Sequence, residues 1–209
     1  QGQQQAPDDS VVGHVSFLHG DLSTQEPENN EWVGATLNTP IMAGDHVATG
    51  KGSRAELQLD HANILRMSDE ASVNVTTLSR TRIQLQVGLG LVNYDVLRGS
   101  DADVEIDTPN VAIRPRLGEG SYRILVNSDS ETVVDVREGS VEISTARGNA
   151  QINKGESVRV LGIDDSHYQI AGASRRDDWD NWNRDRDRMI DSAESWQHTN
   201  RYYTGSQDL

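Results

Sequence analysis

Between residues 104 and 160, apolar and polar positions alternate in six short runs: Val104/Ile106, Val111/Ile113, Tyr122/Ile124/Val126, Val134/Val136, Val141/Ile143 and Val158/Val160. A period of two places one side of each run in a core and the other towards water, which is the signature of a half-buried strand. The intervening turns, among them EGS and KGE, leave no room for crossover helices. Doubly wound parallel sheets need such helices, and their strands are continuously apolar. The pattern extends upstream: Val11 to Leu22 reads as a strand, followed by Ala55/Leu57/Leu59, Ile64 to Met67, Val73/Val75, and Ile83/Leu85/Val87/Leu89 with Gln84 and Gln86 on the other face. Strands recur about every 8–12 residues, the spacing of a sandwich, barrel or β-roll. No strict long-period repeat accompanies them. The chain is therefore predicted to be all-β.

At Ser174 the period changes. Trp179, Trp182, Met189, Ala193 and Trp196 are spaced 3, 7, 4 and 3 apart, with charges filling the other face. That spacing predicts one amphipathic α-helix, with Ser174 as N-cap and Asp177 and Asp178 favouring its first turn. The expected organisation is a polar tail over 1–10, a β domain over 11–172, the helix over 173–198 and an aromatic tail over 199–209.

Composition narrows the picture. Hydrophobic residues make up 34% and aromatics 5%, with a single Phe, so the core must be built from Val, Ile, Leu and Ala. A net charge of −14, from 33 acids against 19 bases, opposes binding to nucleic acid or to an anionic membrane surface. There is no Cys, which removes disulfides, thiol catalysis and iron–sulfur clusters. No apolar run approaches the roughly 18–20 residues of a membrane helix. The start, QGQQQAPDDS, lacks Met and reads either as an arbitrary boundary or as a mature end left by signal-peptide removal, the second being preferred because no tag or linker scar is present.

Candidate chemistry is sparse. The acids between Asp177 and Asp191 alternate with Arg, unlike a calcium loop with its central Gly and closing Glu, and they read as a solvated helix face. The six His residues show neither HxH nor HExxH spacing, and no GxSxG elbow is present. Gly88-Leu89-Gly90 and Gly118-Glu119-Gly120 lack a phosphate-loop lysine and read as bulges or tight corners. Asn74-Val75-Thr76 matches a glycosylation sequon, taken as accidental. No catalytic, metal or cofactor site is expected, so the chain reads as a non-enzyme without cofactors.

From about Gly44 to Val160 the sequence resembles the FecR domain, the extracytoplasmic β domain of bacterial iron-uptake signal regulators and of many exported proteins. The resemblance rests on GDHVATGKGSRAELQLD, ILRMSDEASVNV, IDTPNVAIRP, GSYRILV, VVDVREGSVEIS and NKGESVRV, in that order. DDWDNWNRDRDRM and RYYTGSQDL are similar to the Trp- and Tyr-rich segments that follow this domain in exported relatives. The domain's usual Asp-Gly-Ser turn stands here as Asp60-His61-Ala62. Regulators of the family carry an anti-sigma segment and a membrane helix, which these 209 residues do not contain, so transmembrane signalling is not carried over. The resemblance implies a β-roll or solenoid-like sandwich with no catalytic residues, exported and protein-binding.

Two functions are expected to compete. The first is an assembly module, fibre-forming if an N-terminal tail or edge strand of one copy adds to the sheet of another. Its interaction residues would be Gln3, Gln4, Gln5, Val11 and Val12, together with Trp179, Trp182, Trp196, Tyr202 and Tyr203, and its partners other copies of the chain. The alternative is a periplasmic relay that binds a receptor or regulator. An enzyme or carbohydrate binder ranks third. The tryptophan stripe marks a partner surface or, more simply, a helix docked on its own β domain.

Overall fold

The computed structural model describes residues 9–127 and 130–203, with side chains as far as residue 193. Seventeen strands precede one helix, and the chain divides between Ser174 and Arg175 into two compact units. The strands are β1 (Gly13–His19), β2 (Leu22–Gln25), β3 (Trp32–Gly34), β4 (Pro40–Ile41), β5 (His46–Thr49), β6 (Arg54–Gln58), β7 (Asn63–Met67), β8 (Ser72–Leu78) and the long β9 (Arg82–Val96). They continue as β10 (Asp103–Asp107), β11 (Ala112–Pro115), β12 (Gly120–Val126), β13 (Glu131–Glu138), β14 (Ser140–Thr145), β15 (Gly148–Asn153), β16 (Glu156–Leu161) and β17 (His167–Gly172).

Hydrogen bonding sorts them into two layers. Layer 1 runs β4-β1-β6-β7-β9-β12-β13-β16-β17, and layer 2 runs β3-β2-β5-β8-β9-β10-β11-β14-β15. β9 belongs to both. Its first half pairs with β8 and β10, and its second half, from Gly90 onwards, with β12 and, from Val92, with β7. The change of layer falls at Gly90, whose φ of +93° lies where side chains are disfavoured. A Cβ there would stand 2.6 Å from Ala71 Cα. The Gly88–Gly90 corner thus has a definite task.

β10 lies parallel to the first half of β9, with Asp103 opposite Arg82; the other registers are antiparallel. A parallel neighbour needs a crossover, and the second half of β9, travelling in layer 1, supplies it. The result is one turn of a coil. Beyond it, strand pairs alternate between layers: β12 and β13 in layer 1, β14 and β15 in layer 2, β16 and β17 in layer 1. This is the predicted roll.

The alternating residues close on a single core between the layers. Leu57, Ile83, Leu85, Ile124, Val134 and Val158 are fully buried in it. With only one Phe, which is half-buried, bulk comes instead from Tyr94 and Tyr122, both 0% exposed. Each hydroxyl keeps a partner, as a buried phenol should: Tyr94 donates to Asn63 Oδ1 at 2.9 Å and Tyr122 to the Ser140 carbonyl at 3.3 Å. Burial pushes the Tyr122 phenol up to about 12 and that of Tyr94 well above its ordinary value.

The second unit contains α1 (Asp178–Tyr203). Its N-cap is Asp177, not Ser174: the Asp180 amide donates to Asp177 Oδ1, and the Asp177 amide donates to Asp180 Oδ2, both at 3.1 Å. That reciprocal pair is a capping box. Ser174 is occupied elsewhere, as described next.

Candidate functional site

The residues singled out in the sequence fall in three places. Gln3, Gln4 and Gln5 lie outside the described residues. Val11 is half-buried against the core, its amide donating to the Leu78 carbonyl at 3.2 Å, while Val12 is 59% exposed. The preceding residues are tied down too: Ser10 bridges Ser79, the Arg80 amide donates to the Asp9 carbonyl, and Thr81 Oγ1 donates to Asp9 Oδ2 at 2.9 Å. A cleft of about 670 Å³ adjoins this segment, lined among others by Val12, His14, His61, Arg80 and Asp101.

On α1, Trp179 is 4% exposed and Trp182 half-buried, their rings stacked with centroids 5.1 Å apart. Asn183 donates to the Trp179 carbonyl at 2.7 Å. The buried positions Trp179, Asp180 and Asn183 do not trace the anticipated stripe, since Met189 is 60% exposed. The half-buried Arg186, Asp187 and Ile190 continue from Asn183 at helical spacing, so the less exposed side of the helix is more polar than tryptophan spacing suggested. Trp196, Tyr202 and Tyr203 lie on the helix backbone, with side chains outside the described part.

The most developed side-chain arrangement was not anticipated. Across the face of layer 1 turned away from the core, cross-strand neighbours form a row: Glu56 opposite Arg66, Arg66 opposite Asn93, Asn93 opposite Arg123, Arg123 opposite Asp135. Arg66 is 0% exposed and held by Glu56 at 2.8 Å and Asp95 at 3.1 Å. Ser16 extends the row to β1 through Glu56 Oε1 at 2.8 Å, and Asn93 reaches Ser121 at 3.2 Å. At the other end Ser174 donates through its amide and hydroxyl to Asp135, at 3.0 and 2.7 Å, and accepts from Arg137 at 2.9 Å. Burial alone would raise the Asp135 carboxyl, but these Ser174 bonds, with Ser157 and Arg137, hold it below its ordinary value. Each arginine of the row stands beside a carboxylate, Arg66 beside Glu56 and Asp95 and Arg123 beside Asp135, so the row carries its charge with local compensation.

The arrangement offers positioning rather than reaction. Each carboxylate in the row is bonded to a donor, and the acids stand opposite guanidinium groups rather than beside a nucleophile. Among the described residues no group of three or more His, Asp or Glu side chains is placed to hold a metal, and no helix is long and apolar enough to cross a membrane.

Residues 45–142 match the family model described as FecR protein. The match begins at the buried Asp45, just before β5, and ends within β14, so it spans the coil made by β9 and β10. Just under half of the chain is therefore similar to a FecR domain. Two crystal structures of a candidate anti-sigma factor from Parabacteroides distasonis ATCC 8503 share its fold, with TM-scores of 0.53 and 0.52 and 15% identity. Each likeness covers 62% of this chain and 60% of that one, so the chain spans about three fifths of the length of its structural neighbour. No curated protein matches the chain at a significant level.

Proposed function

We propose that this chain is a non-enzymatic, extracytoplasmic FecR-type domain that relays a signal by binding a receptor or regulator protein. The observation that carries the reading is the FecR match over residues 45–142, on a fold shared with a candidate anti-sigma factor. FecR-type domains are not enzymes; they work by binding proteins. Its two-layer scaffold, with a buried and hydrogen-bonded charged row, suits a domain that presents a surface.

Self-assembly into fibres through the N-terminal tail receives no support from these comparisons. A charge of −14 on every copy also works against stacking like on like. The relay reading expects a monomer by light scattering and one discrete protein recovered by crosslinking and pull-down from an envelope fraction. Filaments by electron microscopy that vanish when residues 1–10 are deleted would reverse the choice.

A further inference from the structure

The two ends of the roll differ in how their sheet edges are finished. At the N-terminal end the edge strands are short: β3 has three residues, and β4 has two, one of them Pro40. Brevity and proline are the usual ways to blunt an edge against further pairing. At the other end β15 and β17 each have six residues. β15 is closed in one respect, because its core-facing Ile152 is fully buried. β17 is not.

β17 reads His167-Tyr168-Gln169-Ile170-Ala171-Gly172, without Lys, Arg, Asp, Glu or Pro. Its register with β16 runs uninterrupted over six pairs, with no bulge. Among the described residues no further strand pairs with it. The alternation of an antiparallel ladder fixes where its free groups point. The Ala173 amide donates to the Gly155 carbonyl at 2.9 Å, so 173, 171, 169 and 167 bond towards β16. The amides and carbonyls of Tyr168, Ile170 and Gly172 therefore face away from the sheet. The side chains agree: Ile170 stands opposite Val158, Val158 opposite Val134, and Val134 is in line with Ile124. This core-facing row is 0% exposed at Ile124, Val134 and Val158, and then 47% exposed at Ile170. The apolar row stops one strand short of being covered.

The geometry points to β17 as a strand-accepting edge, whose occupant is an extended segment of a different protein with alternating apolar residues and neutral or basic character. The occupant would bond to the main chain of Tyr168, Ile170 and Gly172 and lay an apolar side chain over Ile170, main-chain bonds supplying affinity and the Ile170 neighbour specificity. The charge of −14 opposes a second copy and favours a neutral or basic segment. The inference rests on the partner-binding reading above and names the surface used.

Ile170→Pro is the discriminating variant. It removes an outward amide and leaves the bonds to β16 intact, whereas proline at Gln169 would break that ladder. The probe is a synthetic peptide, Lys-Val-Thr-Val-Thr-Val-Lys, titrated into the isotope-labelled full chain with amide exchange followed by NMR. Saturating peptide should slow exchange of the Tyr168, Ile170 and Gly172 amides by about tenfold or more, in the native chain and in Ile170→Val but not in Ile170→Pro. Unchanged exchange of Gln169 and Ala171 in the proline variant reports that β17 is still seated. Protection elsewhere, no protection, or equal protection in Ile170→Pro would overturn the assignment. A doubled mass without peptide, with the same three amides protected, would give the edge to a second copy. If Ile170→Pro leaves capture of a native partner unchanged, the edge assignment fails while the relay reading stands; if no partner is ever captured, the relay reading fails while the peptide result still decides the edge.

Discussion

Arg66 is the largest fully buried side chain of the β unit, and a guanidinium there persists only because Glu56 and Asp95 meet it at 2.8 and 3.1 Å. Arg66→Ala would leave two carboxylates buried without their cation, and is expected to cost about 3–5 kcal/mol in urea denaturation. Against the roughly 5–15 kcal/mol of a typical domain, that change is large. Asp135 makes a pH-dependent counterpart. Its folded value lies below the ordinary 3.8, so its stabilisation is fully present above 3.8 and is lost as pH falls through the lower folded value. Asp135→Asn should flatten the acid limb of the stability profile, and an unchanged limb would place acid sensitivity elsewhere. These residues were legible as strand positions but not as a buried row. Period-two alternation marks Glu56, Arg66, Asn93 and Asp135 as turned away from the core, and it cannot distinguish a wet outer face from a covered one. The available hint was local: Arg66 sits in NILRM and Asp95 in NYDV, strands with unusually apolar neighbours on both sides.

At the scale of the element, β9 explains how an all-β chain makes a parallel pair without a helix. The alternation of Ile83, Leu85 and Val87 was readable, as was a corner at Gly88–Gly90. The change of layer was not, because it depends on Gly90 passing Ala71 Cα at 2.6 Å from where a Cβ would be, a contact between distant residues. Gly90→Ala adds both a left-handed backbone penalty and that overlap, and is expected to lower stability by about 3 kcal/mol in thermal or urea unfolding. Helix α1 was found from tryptophan spacing, yet its N-cap was misplaced. Ser174 and Asp177 are both good caps by residue type, and Ser174 is drawn away by Asp135 and Arg137, partners 39 and 37 residues distant. Asp177→Ala should cost the helix about 1 kcal/mol, visible as reduced helical circular dichroism with the strand signal retained; loss from Ser174→Ala alone would contradict the assignment.

For the whole molecule, a family signal spread over weak pieces proved more informative than any single motif. GDHVATG, VVDVREGS and the runs between them describe a scaffold, and residues 45–142 match the FecR family model. A site was not readable from the sequence because sheet edges and faces depend on where the ladder stops. The exposed row end at Ile170 exists only once β16 and β17 are paired. The most direct measurement is quantitative crosslinking with mass spectrometry of the full chain in a native envelope fraction, competed with excess unlabelled chain. Partner binding predicts saturable crosslinks to one different protein. Crosslinks only between copies of this chain, or none that compete, would contradict it.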